Sequence, residues 1–515
     1  VLKHALGGGA TMSLRLDSLG KSMGSAIMRM KIHVEDDEIE KPKVQALQNL
    51  TVLDLTRVVA GPYAGAILGD FGAKVIKIEV PGKGDDARGY GPYANGESMY
   101  YANLNRNKQG ITLNLKSEEG KKIFLELVKK ADILLENYRP GVMDKLGLGY
   151  DVLKEVNPRL IYGALSGFGS YGPYANRPGY DIISQAMGGL MSITGEKGGN
   201  PTRCGNAMGD ILGGMNLVIG VLMAVNARTM TGIGQRIDVS LVDSVVASLE
   251  NAYIRDFDSG ELPVRNGNAY ASIAPYDTYQ AKDGMVVIGC GNQKLYEKFC
   301  NEIIGMPWMI TDERFLTVPL RVKNNEIQKK YIEEWSTQYT VEEIVDKMLA
   351  KGIPAGPIYN VKQITEDEHI AKEREMFVEI EHPVIGKMKV NGNPVKLMDM
   401  MPQISCPAPT LGQDNEKILA FARYLDEKQI PVWIRHVMVP GLTFGEAHVK
   451  ELETYLQDIP NIQKIELLPY HVLGVHKYQK LGIHYPLENV RAVAPEEVAD
   501  WEMRLNQSIV RKVRM

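Results

Sequence analysis

The stretch from Thr51 to Val80, TVLDLTRVVAGPYAGAILGDFGAKVIKIEV, constrains the fold more than any other part of the chain. TVLDL and KVIKIEV are short, apolar, β-branched runs, the composition of strands buried on both faces. AGAILGDFGA between them has helical length, and its small residues allow close packing on a sheet. The segment reads as strand, helix, parallel strand. Its first loop, Thr56-Arg57-Val58-Val59-Ala60-Gly61-Pro62, lies at the carboxyl end of the first strand, where open α/β sheets place ligands and helix N-termini attract anions. A phosphate-bearing ligand suits that position, although no G-x-G-x-x-G is present and a plain structural crossover would satisfy the same pattern.

Composition narrows what such a sheet can serve. The chain has 515 residues, enough for about three domains, and its 44% hydrophobic and 24% charged residues are ordinary for a globular protein. A net charge of -4 argues against a nucleic-acid binder, which needs a face rich in Lys and Arg. Cys204, Cys290, Cys300 and Cys406 form no C-x-x-C pair, so neither a disulfide framework nor a zinc or iron-sulfur site is expected, and a reducing cytoplasm is the expected compartment. The most apolar run, Ile211 to Ala227, is broken by Asn216 and Asn226 and falls short of the roughly 20 residues a membrane span needs; it reads as a buried helix. The first 49 residues carry no assignable pattern, and EDDEIEKPK reads as a solvated linker.

The α/β rhythm continues from Asn103. ITLNL reads as a strand, Ser117 as the N-cap of a helix with Glu118 and Glu119 set against its dipole, and DILLEN as the next parallel strand. Two cationic segments flank these strands, Asn105-Arg106-Asn107-Lys108 before ITLNL and Asn137-Tyr138-Arg139-Pro140-Gly141 after DILLEN. Both are expected on the same sheet edge as the Thr56 loop, converging on one polyanion, against the plainer reading that they are merely solvated. No histidine occurs between His33 and His369, so a Ser-His-Asp triad or a His-ligated metal is excluded across this region and carboxylates must carry any acid, base or nucleophilic work.

LTRVVAGPYAGAILGDFGAKVIKIE, NLNRNK, DILLENYRPGVMDKLGLGY, NPRLIYGALSGFGSYGPYANRPGYDIISQAMGGLMSITG and TGIGQRIDVSLVD, in this order, resemble the class III CoA-transferases of the CaiB/BaiF family and the related α-methylacyl-CoA racemases, from about Leu50 to about Asp414. The resemblance implies a Rossmann-like parallel-sheet large domain from residues 50–230 and 350–414, an inserted smaller α+β domain over 231–349, and an interlocked homodimer. It implies a CoA site at Val58, Ala60, Asn105, Arg106, Lys108, Asn137, Arg139 and Lys145, with acyl-CoA and a carboxylic acid as substrates and neither metal nor membrane involved. An Arg fork and a Lys point charge suit the diphosphate and 3'-phosphate of CoA. One place departs: where many relatives carry Arg before the Pro-Gly after the second strand, this chain has Val80.

Transfer in this family runs through a carboxylate that attacks the acyl thioester, exchanges acyl for CoA, and hands CoA to the acceptor acid. Three residues compete for that role. Gly198 stands where transferases usually place the nucleophile, which leaves the neighbouring Glu196 as a substitute. Asp210, in Gly209-Asp210-Ile211 at a helix start, matches the acidic proton carrier of the racemases and is favoured. Asp181 is the third, with helix capping as its structural alternative. The racemase branch needs a His where this chain has Tyr180 and a Glu where it has Asn292, so racemisation ranks below transfer, with an inactive CoA-binding fusion product as a further alternative.

From about Lys417 the chain resembles the carboxyl-terminal part of a pyruvate formate-lyase activating enzyme, a radical S-adenosylmethionine protein. The cluster motif C-x-x-x-C-x-x-C is absent, so Arg435 and His471 have no cluster to work beside and radical activity is not expected. PVWIRHVMV and KIELLPY read as parallel strands of a partial β/α barrel over 417–515, expected to be loosely packed and dispensable for CoA chemistry.

Overall fold

The structure, a computed structural model, describes residues 44–415 and, towards the carboxyl end, 432–440, 443–456, 462–470 and 490–510. Residues 1–43 of the unassigned leader and the tail position His471 lie outside the described residues.

The opening unit forms as its composition dictates: β1 (Thr51–Asp54), α1 (Ala60–Asp70) and β2 (Lys74–Glu79). After α2 (Met99–Leu104), β3 (Lys108–Thr112) joins β2; α3 (Glu118–Lys130) leads to β4 (Ile133–Glu136), and β5 (Ile161–Ser166) follows. α4 (Asp181–Met187) and the long α5 (Met208–Thr231) precede β6 (Arg236–Ser240). The six strands make one parallel sheet in the order β3-β2-β1-β4-β5-β6, with Val52 paired to both Val75 and Ile133. This is the doubly wound order, whose crevice opens where β1 and β4 diverge. Adjacent strand residues alternate between two cores: Val52 joins α1 and α5 on one side, and Leu53 joins Phe124 and Val128 of α3 on the other. Ser117 caps α3 by accepting the Gly120 N–H at 3.0 Å, and Glu118 and Glu119 occupy its first turn.

The second body is an antiparallel sheet of β7 (Tyr276–Gln280), β8 (Met285–Gly289) and β9 (Ala355–Pro357), covered by α6 (Gln293–Lys298), α7 (Val341–Ala350) and neighbouring helices around Tyr296, Phe299, Phe315 and Ile344. Thr340 and Glu343 complete the capping box of α7. Its limits differ from 231–349: Arg236–Ser240 is the sixth strand of the large sheet, and Ala355–Pro357 pairs with β8. Strand pairing, which periodicity does not report, moves both limits. At the front, the Leu47 N–H bonds the Phe71 carbonyl and the Leu47 side chain packs against the core beside β1, so residues 47–49 belong to the large domain rather than to a leader.

The chain then returns to the large sheet. The hairpin of β10 (Phe377–His382) and β11 (Gly386–Asn391) packs Ile380, Met388 and Val390 against Tyr101 and Ala102 of α2. Beyond it, Asp414 accepts the Gly110 N–H at 2.8 Å and covers the outer edge of β3.

α5 departs from the expectation of a buried helix. Leu217, Val221 and Ala224 are buried on the sheet, and Gly214 lets the helix approach α1 so closely that a Cβ would lie 2.6 Å from the Ala60 carbonyl oxygen. Met215, Ile219, Leu222 and Met223 on the other face are exposed. A 24-residue helix apolar all round has one stripe more than a single sheet can cover.

In the tail, β12 (Val432–Met438) and β13 (Ile462–Pro469) pair in parallel, with α8 (Glu446–Leu456) between them and α9 (Pro495–Leu505) after them. The described part buries Met438, Val449, Ile465, Leu467, Val498 and Leu505 in a core of its own, which the expectation of loose packing did not foresee.

Candidate active site

The crevice is built on four charges that the sheet holds in its interior. Asp54 at the end of β1 takes a bond from Lys108 Nζ at 2.9 Å, and Lys77 of β2 bonds Asp85 at 2.9 Å; all four side chains are buried. Burial alone would raise the Asp54 pKa, but Lys108 and Lys77 outweigh it and hold the carboxyl below its ordinary value. Burial also pushes Lys108 down, to about 8. Above these charges the Thr56 loop leaves β1. Lys77 donates to the Thr56 carbonyl, the Val58 N–H donates to Asp85 at 3.0 Å, and Asn137 brackets Arg57, accepting its N–H at 2.8 Å and donating to its carbonyl at 2.7 Å. The last pair crosses from the end of β4 to the end of β1, the switch point of the sheet. α1 then begins with no side chain capping its first turn, leaving backbone N–H groups and the positive end of its dipole at the crevice.

The cationic residues divide. Arg139 and Lys145 are exposed beyond β4, as a phosphate-gripping role requires. Arg57, which was not singled out from the sequence, is partly exposed on the Thr56 loop, its guanidinium 5.2 Å from the centre of the Tyr138 ring and 3.2 Å from Asp86. Asn105, Arg106 and Lys108 are a correction. They are buried: Arg106 forks onto Asp70 at 2.7 and 3.2 Å, and Lys108 is consumed by Asp54, Asn105 and the Pro62 carbonyl, each at 2.9 Å. The reason is topological. A segment that precedes a strand of a parallel sheet enters at the amino edge, opposite the Thr56 loop, so Arg106 meets the end of α1 and Lys108 reaches the crevice only from below.

The carboxylates divide as sharply. Asp210 lies in the first turn of α5, partly buried; burial and, after it, the charge of Asp181 push it up to about 7. Asp181, at the start of α4, accepts the N–H groups of Gly209 at 2.8 Å and Asp210 at 3.4 Å on one oxygen and Gln185 Nε2 at 2.8 Å on the other. It therefore fixes the start of α5 across the gap rather than capping its own helix. Gly209 permits the contact, since a Cβ there would fall 2.0 Å from Ser184 Oγ. Glu196 is exposed in a turn whose Gly198 has φ 72°, and Arg265 ties that turn down through the Gly199 carbonyl at 2.8 Å. Of the racemase positions, Tyr180 is exposed and Asn292 caps α6 through the Leu295 N–H at 3.0 Å.

Tyr100 joins the two halves. Its pKa is raised by burial first, then by the charges of Asp210, Tyr90, Asp85 and Asp181, so one phenol senses both the loop's anchor and the carboxylate of α5. Tyr90 stands against it, ring centres 5.9 Å apart. Tyr90, Tyr100, Asp85 and Arg57 were all missed; the signal available was Gly84-Asp85-Asp86-Ala87-Arg88-Gly89, a charged turn at the carboxyl end of β2 and hence on the ligand edge.

A switch-point crevice with an uncapped helix N-terminus, rim cations and a half-buried carboxylate suits an enzyme that takes a phosphate-bearing ligand and works through a carboxylate. Residues 47–415 match the model of CoA-transferase family III, and the chain belongs to that family. It is 43% identical over 358 residues to an acetyl-CoA:oxalate CoA-transferase of Acetobacter aceti, covering 69% of this chain and 90% of the relative. It is 37% identical over 392 residues to the human succinyl-CoA:glutarate CoA-transferase, covering 75% and 88%. A CaiB/BaiF family protein from Brucella suis superposes with a TM-score of 0.65 at 36% identity over 73% of this chain and 99% of its own. The chain is a CoA-transferase that exchanges CoA between an acyl-CoA thioester and a carboxylic acid.

Proposed function

We propose that Asp210 is the carboxylate that carries the acyl and CoA groups, and that the acceptor is a small dicarboxylic acid. The observation that supports the first is its placement: Asp210 and Asp181 are both partly buried while Glu196 is exposed, but Asp181 spends its oxygens on the Gly209, Asp210 and Gln185 N–H groups, whereas none of the described residues hydrogen-bonds the Asp210 oxygens. The second rests on the relatives named for oxalate, glutarate and mesaconate.

In this reading Arg57, Arg139 and Lys145 hold the CoA phosphates, with the loop of Val58 and Ala60 beneath the pantetheine arm. The Asp210 carboxylate attacks the acyl carbonyl, the C–S bond breaks, and CoA leaves as thiolate from a mixed anhydride. The thiolate then attacks the Asp210 carbonyl, releasing the first acid and leaving an Asp210 thioester. The acceptor carboxylate displaces the thiolate, which attacks the new anhydride at the acceptor carbonyl, forming the product thioester and restoring Asp210. Each step exchanges one activated acyl bond for another, so the protein's work is to hold partners in register and exclude water. Rapid mixing with acyl-CoA, hydroxylamine trapping and mass mapping test the assignment: a hydroxamate at Asp210 is expected, and transfer that proceeds with the label at Glu196 or Asp181 overturns it.

The exposed apolar face of α5, with Phe257 and Ile233 exposed as well, supports a homodimer in which a second copy covers it. Light scattering should return about twice the 57.2 kDa chain mass. The tail after residue 415 lies beyond the family match and takes no part in transfer in this reading; a chain ending there should keep its specific activity.

A further inference from the structure

Val58 has φ 69°, a left-handed backbone that a β-branched residue strongly resists. Neither neighbour supplies a glycine: the sequence across the bend is Arg57-Val58-Val59. Such a conformation persists only where its surroundings over-determine it, and such sites cluster where ligands are held. Here the surroundings can be named. Asp85 accepts the Val58 N–H with both carboxylate oxygens, at 3.0 and 3.3 Å, and also takes the Ala87 N–H at 2.9 Å, which fixes its own turn. Lys77, fully buried, bonds Asp85 at 2.9 Å and reaches the Thr56 carbonyl on the other side of the bend. The loop is thus gripped at the peptide groups before and after Arg57 by the two ends of one buried ion pair.

We propose that Asp85, itself held by Lys77, is a positioning residue for acyl-CoA binding: it forces Val58 into the left-handed conformation and so aims the uncapped start of α1 and the Arg57 side chain at the CoA phosphates. The proposal rests on the transferase reading above. The ion pair lies beneath the loop with both side chains buried; buried pairs that could be replaced by apolar residues without loss of stability are retained in some proteins for conformational specificity, and this one has a stated conformation to specify.

The test uses the full chain. Asp85→Ala is compared with wild type by hydrogen-deuterium exchange of the peptide covering 55–64, by calorimetric titration with free CoA, and by steady-state kinetics in both substrates. In the folded variant, exchange of the loop is expected to accelerate at least tenfold while peptides of β4 and β5 stay unchanged. CoA affinity and the KM for acyl-CoA should worsen about tenfold, and the KM for the acceptor acid should move less than twofold. Unchanged exchange at 55–64, or equal worsening of both KM values, overturns the proposal. If wild type shows the protected loop but binds no CoA, the transferase reading falls and so does the ligand role of Asp85, whereas protection lost in Asp85→Ala still locates the loop's anchor. Should Asp85→Ala not fold, Val58→Asn and Val58→Thr carry the test. Both are polar and of similar size, but only Asn tolerates the left-handed region, so Val58→Asn should melt higher and bind CoA more tightly; equal or reversed order overturns the proposal.

Discussion

Two stretches written in the same chemical vocabulary, Asn105-Arg106-Asn107-Lys108 and Asn137-Tyr138-Arg139 with Lys145, end up doing opposite jobs. The first precedes a strand and is drawn into the interior, where Arg106 neutralises Asp70 and Lys108 neutralises Asp54. The second follows a strand and leaves Arg139 and Lys145 in solvent at the crevice rim. The carboxylates repeat the contrast, with Asp210 partly buried and Glu196 exposed. Residue type therefore says which charges exist, while position relative to the strand direction says which ones a ligand can meet.

The contrast can be broken most decisively at Asp210. Asp210→Asn should lower kcat by about 1,000-fold or more while CoA still binds, as measured by turnover and calorimetry. Because the attacking form is the carboxylate and its pKa is pushed up to about 7, wild-type turnover should rise with pH through that value and level off above it. The same shift has a signed consequence for stability. The folded value lies above the ordinary 3.8, so the folded state binds the proton more tightly and loses stability as pH climbs from about 4 to about 7. Asp210→Asn should thus raise the melting temperature at pH 8 and leave it unchanged near pH 4.

Next in size is the interior pair. Arg106→Met strands a buried Asp70 and should cost about 3–5 kcal/mol, a fall of about 10 °C in melting temperature by calorimetry, while the folded fraction keeps its CoA affinity. A loss of CoA affinity with unchanged stability would return Arg106 to the binding site and erase the contrast. At the rim the expectation reverses: Arg139→Ala or Lys145→Ala should raise the KM for acyl-CoA about fivefold, an effect that shrinks in added salt, and shift melting by less than about 1 °C. The smallest effect belongs to Glu196→Gln, which should leave kcat within about twofold.

Much of the large sheet was readable because its strands are short continuous apolar runs and its crossovers carry ordinary start signals. Ser117 caps the helix it was expected to cap, and TVLDL, KVIKIEV and DILLEN become strands of one parallel sheet, while the strand expected over ITLNL runs earlier, from Lys108 to Thr112. The two boundaries of the smaller body were not, since Arg236–Ser240 and Ala355–Pro357 are strands whose sheet is chosen by hydrogen-bond partners more than 40 residues away. At the site, Asp210, Val58, Ala60, Asn137, Arg139 and Lys145 stand near the crevice, whereas Asp85 sits in a charged turn whose place on the ligand edge follows only once β2 is set in the sheet, and Tyr100 lies on α2 with no local pattern of its own.

Amino-acid order alone determined the β-α-β opening, the absence of histidine chemistry between His33 and His369, and the presence of three candidate carboxylates. Tertiary structure decided which cations stay in solvent, which of the three candidate carboxylates has its pKa pushed up to about 7, and why a valine stands in a glycine's conformation. Burial and charge pairing depend on neighbours that are distant in the chain, so these outcomes exist only once β1, β2 and β4 lie side by side and Asp85 comes up beneath Val58.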